Sequence, residues 1–102
     1  DLGDDGSSLS IGLLGPEDGA SLAAAGAVCD CMCHFLDAQG RNVDHPVHDR
    51  VMAVPLEVVA GARHVVLASG GARRAAAIRA TVARVGVSTL VTNEAAARAL
   101  LE

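Results

Sequence analysis

The run Leu67-Ala68-Ser69-Gly70-Gly71-Ala72-Arg73-Arg74-Ala75-Ala76-Ala77-Ile78 constrains this chain more than any other stretch. An apolar segment ends in two glycines, and a helical pattern begins at once with two arginines in its first turn. A strand that passes through a glycine turn into a helix is the building step of α/β architecture. Cations in that first turn oppose the positive end of the helix dipole, so helix stability alone does not favour them. A bound anion reverses the sign, because backbone N–H groups and guanidinium donors then converge on one negative charge. The corner is therefore a candidate phosphate or carboxylate site. The alternative is a solvated, arginine-rich helix start whose glycines only make the turn.

The 102 residues form one small domain or part of a larger one. Hydrophobic residues make up 51%, enough for a packed core, but Phe35 is the only aromatic. That core is built from Ala, Val, Leu and Ile. All eight basic residues are Arg and none is Lys, which excludes a lysine Schiff base. A formal charge of −4, with no basic patch interleaved with aromatics, argues against nucleic acid as a direct partner. No apolar run reaches membrane-spanning length, and no signal peptide opens the chain. Three cysteines crowded between positions 29 and 33 fit a reducing cytoplasm better than a secreted disulfide framework. The first residue is Asp1 rather than Met, as expected of a sequence that begins inside a longer polypeptide.

Helices and strands alternate along the chain. Asp1 to Ser10 is rich in Gly, Ser and Asp and reads as a loop. Pro16-Glu17-Asp18 suits a helix start and Gly26 its end. Ala27 to Leu36 reads as a strand or strand pair, followed by the turn Asp37-Ala38-Gln39-Gly40. A polar loop runs through Asp49, then Arg50 to Val54 is expected as a short strand and Pro55 to Gly61 as a brief helix. His64 to Ala68 is almost continuously apolar, as expected of a strand covered on both faces. Helices over Ala72–Arg84 and Asn93–Leu101 enclose the strand Thr89-Leu90-Val91. This order, with short connections, predicts an α/β fold of parallel-sheet, Rossmann-like layers.

At about 100° per residue, Ala75, Ile78, Val82 and Val85 share one helix face and are expected against the sheet. Arg73, Arg79 and Arg84 fall on the opposite side, towards water. Arg74 lies at the border of the buried face, beside the glycine turn at the carboxyl end of the preceding strand. Ligands of open α/β sheets bind at that edge.

Cys29-Asp30-Cys31-Met32-Cys33-His34, with His45 and His48, invites a metal reading. On a strand, however, the three cysteines alternate onto one face and spread along it. Zinc sites keep two to four residues between paired cysteines, and Cys otherwise behaves as a small buried hydrophobe. Burial is the expectation, and no metal or cofactor is assigned. His45, His48 and Asp49 read as a solvated turn, and Arg50 as the partner of a nearby acid.

Gly26-Ala27-Val28-Cys29-Asp30 and Phe35-Leu36-Asp37-Ala38-Gln39-Gly40-Arg41 resemble the "GAVGD…FFDxxGR" signature of the SorC family's sugar-binding domain. Asp49-Arg50-Val51-Met52-Ala53-Val54 is similar to that family's "DRVIGI". Gly70 to Ile78 resembles its "GGxxKxxAI", and Leu90 to Leu101 its "LITDEATARALL". Ser8-Leu9 and Leu13 to Asp18 also fit the pattern. The matches run in one colinear order over nearly the whole chain.

The resemblance implies a bacterial transcription regulator with an N-terminal helix-turn-helix and a C-terminal effector domain. It implies a partial domain of the sugar-phosphate isomerase/CoA-transferase-like fold, with residues 1–102 as the C-terminal portion and the DNA-binding domain absent. It implies a phosphorylated sugar as effector, a homo-oligomeric intact protein in the cytoplasm, no membrane, and DNA contact only through the missing domain. Carried over by motif, Asp30 accepts hydrogen bonds from sugar hydroxyls, Arg74 replaces the lysine that meets the phosphate, and Gly70 and Gly71 let the backbone approach it. No catalytic residue is implied. Cys29 and Ala53 stand where the pattern has glycine, and Asn93 where it has aspartate, which still caps a helix. Two other readings stay open: a fragment of a sugar-phosphate isomerase-like enzyme, or a remnant that no longer binds.

Overall fold

The computed structural model describes residues 14–102; the loop expected over Asp1–Ser10 lies outside the described residues. The chain runs through helix α1 (Pro16–Ala24), strands β1 (Cys29–Cys31) and β2 (His34–Leu36), and a 3-10 turn (Pro46–Arg50). Helix α2 (Leu56–Ala60), strand β3 (Val66–Ala68) and a second 3-10 turn (Ala72–Arg74) follow, then helix α3 (Ala75–Val85), strand β4 (Thr89–Val91) and helix α4 (Glu94–Leu101).

Helix α1 begins where Pro16 fixes φ and Asp18 accepts from the Gly15 N–H at 3.2 Å. Past α1 the backbone turns at Gly26, φ +91°. β1 and β2 then pair antiparallel, Cys29 opposite Leu36 and Cys31 opposite His34. A two-residue connection, Met32 and Cys33, joins only antiparallel strands. The expected single parallel sheet is therefore absent among the described residues: the hairpin is one sheet, and β3 with β4 is another. After β2 the Asp37 carboxylate gathers the turn, accepting from Gln39 N, Arg41 N and Arg41 Nε. These N–H groups, Arg41's first, hold its carboxyl below the usual carboxylate range. Gly40 completes the turn at φ +83°, where a Cβ would stand 2.7 Å from the Ala80 carbonyl oxygen. That close approach seats the Asp37–Arg41 turn on the backbone of α3.

Strands β3 and β4 pair parallel, Val66 opposite Thr89 and Ala68 opposite Val91, with α3 between them in sequence. This βαβ unit is the α/β element read from the sequence. Its strand is shorter than His64–Ala68 and is not covered on both faces: Val66 is 63% and Val91 55% exposed on one side. The continuous apolar run could not reveal this, because no element among the described residues lies over that face. Arg50–Val54 is not a strand either. Arg50 closes the 3-10 turn, and His34 Nε2 bonds the Val54 carbonyl at 2.9 Å where a ladder partner would be needed.

Two cores flank the hairpin. Leu14, Leu22, Phe35, Val43 and Val47 form one; Cys29, Leu36, Leu56, Ala80 and Val85 form the other. Helix α3 contacts α2, β1 and α4, so it buries more than one stripe. Ala75, Ile78 and Val85 are buried as expected, but Val82 is exposed and Ala80 and Thr81 are buried instead. Of the arginines expected in water, Arg84 pairs with Glu57 of α2 at 2.7 Å. Arg79 donates to the carbonyls of Ala99 and Leu100, closing the end of α4.

Candidate functional site

A cavity of about 260 Å³ opens between the hairpin, the end of β3 and the face of α3. Asp30 and Met32 line it from the hairpin, Ser69 from the strand end, and Arg74, Ile78 and Thr81 from the helix. The structure thus brings Asp30 and Arg74 together in one cavity although they are far apart in sequence. Gly70 and Gly71 form the turn leading into it and do not belong to its lining. Arg74 is exposed and closes the short 3-10 turn, its N–H donating to the Gly71 carbonyl at 3.0 Å. Arg73 is exposed as well and is not among the described lining residues.

The glycine turn is held from α4. Asn93 caps that helix, its Oδ1 accepting from Ala96 N at 3.1 Å, and the same oxygen accepts from Gly71 N at 3.0 Å. Gly71 has φ +100°, a conformation that suits a residue without Cβ. Gly70 lies against the Asn93 side chain, which a Cβ would approach at 3.2 Å. The Gly71 amide is thereby committed to Asn93 rather than turned to the cavity.

Asp30 does two things. One carboxylate oxygen, Oδ1, accepts from Cys33 N at 2.9 Å and braces the hairpin turn. The residue also lines the cavity. The turn it braces is unusual, since Met32 (φ 51°) and Cys33 (φ 66°) both adopt left-handed backbone without being glycine. Cys33 is exposed in this turn rather than on the strand, so only Cys29 and Cys31 share the strand face. Burial pushes both of those thiols up, against the lowering effect of the Thr81 hydroxyl beside each. They are neutral, inert thiols at neutral pH. Among the described residues no three His, Cys, Asp or Glu stand together as metal ligands.

The histidines are what sequence reasoning missed. His48 Nε2 accepts from the Phe35 N–H at 3.0 Å, and its ring lies 5.7 Å from the Phe35 ring. His45 Nδ1 accepts from Val47 N, which leaves Nε2–H to meet Ser21 Oγ at 2.7 Å. With His34 on Val54, they rivet the 42–54 loop to the hairpin and α1. Nothing in their spacing signals this, because each partner is remote or a backbone atom. Arg50 does pair with an acid, Asp18, at 3.2 Å. A second cavity of about 270 Å³ lies beside this loop, lined chiefly by Leu14, Phe35, Val47, Val51 and Met52. It is mainly apolar, with Arg50 as the one charged group among its described lining residues and no carboxylate.

The sugar-binding domain family, Sugar-bind, matches residues 2–102. The transcriptional regulator LsrR of Klebsiella pneumoniae subsp. pneumoniae is 34% identical over 98 residues, covering 95% of this chain and 30% of the regulator. The chain thus spans about a third of the length of the curated relatives it matches. Two crystal structures share the fold. A transcriptional regulator from Streptococcus pneumoniae TIGR4 superposes with TM-score 0.83 at 20% identity, covering 99% of this chain and 39% of that one. The full-length sorbitol operon regulator SorC from Klebsiella pneumoniae gives 0.82 at 21% identity, covering 96% and 31%. The chain belongs to the sugar-binding domain family of SorC-type transcriptional regulators.

Proposed function

We propose that the cavity between hairpin and α3 receives a phosphorylated sugar, and that the chain is the effector-sensing part of a sugar-responsive transcription regulator. The observation that carries this reading is that a carboxylate, Asp30, and a guanidinium, Arg74, line one cavity at the carboxyl end of a parallel strand. Ligands of α/β folds bind at that edge. Arg74, with the Ser69 hydroxyl nearby in the lining, meets the phosphate. Asp30 accepts hydrogen bonds from sugar hydroxyls, and Gly70 and Gly71 shape the turn that sets Arg74 at the rim. The β3–α3–β4 unit supports the finer reading of layers like those of the sugar-phosphate isomerases.

The reading is of a sensor, not a catalyst. Among the described lining residues Asp30 is the only carboxylate, and no histidine accompanies it. Residues 1–102 form the C-terminal portion of the effector domain, DNA is contacted through a separate helix-turn-helix domain, and the intact regulator is a cytoplasmic homo-oligomer. Effector binding shifts that assembly between states of different operator affinity. No helix among the described residues is long and apolar enough to cross a membrane. Titration calorimetry with glucose 6-phosphate, glucitol 6-phosphate and inorganic phosphate tests the proposal. Saturable binding of a sugar phosphate that depends on Arg74 supports it, and heat-silent titrations throughout overturn it.

A further inference from the structure

Thr81 lies seven residues beyond Arg74, the residue that caps the start of α3. Seven residues are almost two helical turns, so the two share a face about 10 Å apart along the axis. Both line the cavity. Thr81 is also the one buried polar side chain among the described residues, 9% exposed. Its hydroxyl proton is committed to the Ala77 carbonyl at 2.9 Å. Towards the cavity it therefore presents lone pairs only. Asp30, which also lines this cavity, is an acceptor too. The cavity thus has a cationic donor group at the Arg74 end, while its deeper groups, Thr81 and Asp30, are acceptors.

We infer that Thr81 is a specificity-determining residue, accepting a hydrogen bond from the effector's C1 hydroxyl, at the end of the carbon chain opposite the phosphate. The effector is then a sugar or polyol phosphate ending in an alcohol or hemiacetal hydroxyl, and not an aldonate phosphate. A carboxylate at that end would bring a further acceptor-only group against the Thr81 lone pairs and the Asp30 carboxylate. This inference rests on the phosphosugar reading and assigns the other end of the same ligand.

The test pairs a side-chain deletion with a ligand deletion, by calorimetry on the full chain. Glucose 6-phosphate is compared with 1,5-anhydroglucitol 6-phosphate, which lacks the C1 hydroxyl, and with 6-phosphogluconate, which carries a carboxylate at C1. Thr81→Val is expected to weaken glucose 6-phosphate about five- to tenfold, while the anhydro analogue changes less than about twofold. Thr81→Ser, which keeps the hydroxyl, is expected to retain the discrimination. Equal losses on both ligands, loss on neither, or 6-phosphogluconate binding as tightly as glucose 6-phosphate would overturn the assignment. If Arg74-dependent binding persists through those outcomes, the phosphosugar reading survives and only the role of Thr81 falls. If no Arg74-dependent binding is seen, both fall.

Discussion

Asp30, on the first strand of the hairpin, and Arg74, at the head of α3, line a single cavity of about 260 Å³. Their juxtaposition depends on contacts made elsewhere. Gly40 seats the turn after β2 against Ala80 and Arg84 of the helix, and Asn93 holds the glycine turn that leads to Arg74.

Gly40 is the tighter of these constraints. A Cβ there meets the Ala80 oxygen at 2.7 Å and Arg84 N at 3.1 Å, both backbone atoms, at φ +83°. Gly40→Ala is expected to destabilise the fold by about 2–4 kcal/mol, from left-handed strain plus the forced separation of hairpin and helix. Urea unfolding followed by circular dichroism measures it. A change below about 0.5 kcal/mol would mean that the turn does not bear on the helix.

The Met32–Cys33 turn carries the opposite opportunity. Two left-handed residues in a two-residue hairpin loop favour Asn-Gly, which adopts that backbone at less cost. The double substitution Met32→Asn, Cys33→Gly is expected to stabilise the protein by about 1–2 kcal/mol. A midpoint unchanged or lowered in urea would show that the native side chains contribute more than the strain they carry.

How much of this was legible in the sequence follows from the range of the interactions. The local turn and capping roles of Pro16, Gly26, Gly40, Asn93 and the Gly70-Gly71 pair act on neighbours within a few residues and could be read directly, whereas the approach of Gly40 to Ala80 and the bond from Gly71 N to Asn93 could not. The placement of α3 between α2, β1 and α4 is a tertiary fact, and so Val82 lies outside and Thr81 inside, against the single-face reading. Likewise the apolar His64–Ala68 run carried no record of which strand face stays bare. For the site, Arg74 was legible from its place beside the glycine turn, Asp30 only through motif resemblance, and their shared cavity only through the fold. Thr81 could have been found from the i, i+7 spacing to Arg74.

His48 gives the protein a pH response. Burial, with His34 as a like-charged neighbour, holds His48 below its ordinary value of 6.5. The folded protein therefore keeps His48 neutral where the unfolded chain takes up a proton. Stability from this group is fully present above about pH 6.5 and declines as pH falls below it, towards the lowered folded value. Asp18 and Asp37, held below 3.8, add a separate loss in stronger acid. The urea midpoint is expected to drop between about pH 7.5 and pH 5.5. His48→Gln, which offers an acceptor to Phe35 N without titrating, is expected to flatten that slope. An equal slope in both proteins would assign the response to other groups.

The central claim is that the Arg74 corner holds the phosphate of a sugar whose hydroxyls face Asp30. Its most direct measurement is the affinity of glucitol 6-phosphate for the native protein and for Arg74→Ala, Arg73→Ala and Asp30→Asn, by titration calorimetry. Arg74→Ala is expected to lose about ten- to a hundredfold, the value of one charge-assisted contact. Arg73→Ala, outside the described cavity lining, is expected to change less than about threefold, which controls for general loss of charge. Asp30→Asn keeps an oxygen for the Cys33 amide, so its effect is expected in discrimination between sugars rather than in folding. Equal losses for Arg73 and Arg74, or no loss for either, would contradict the phosphate corner.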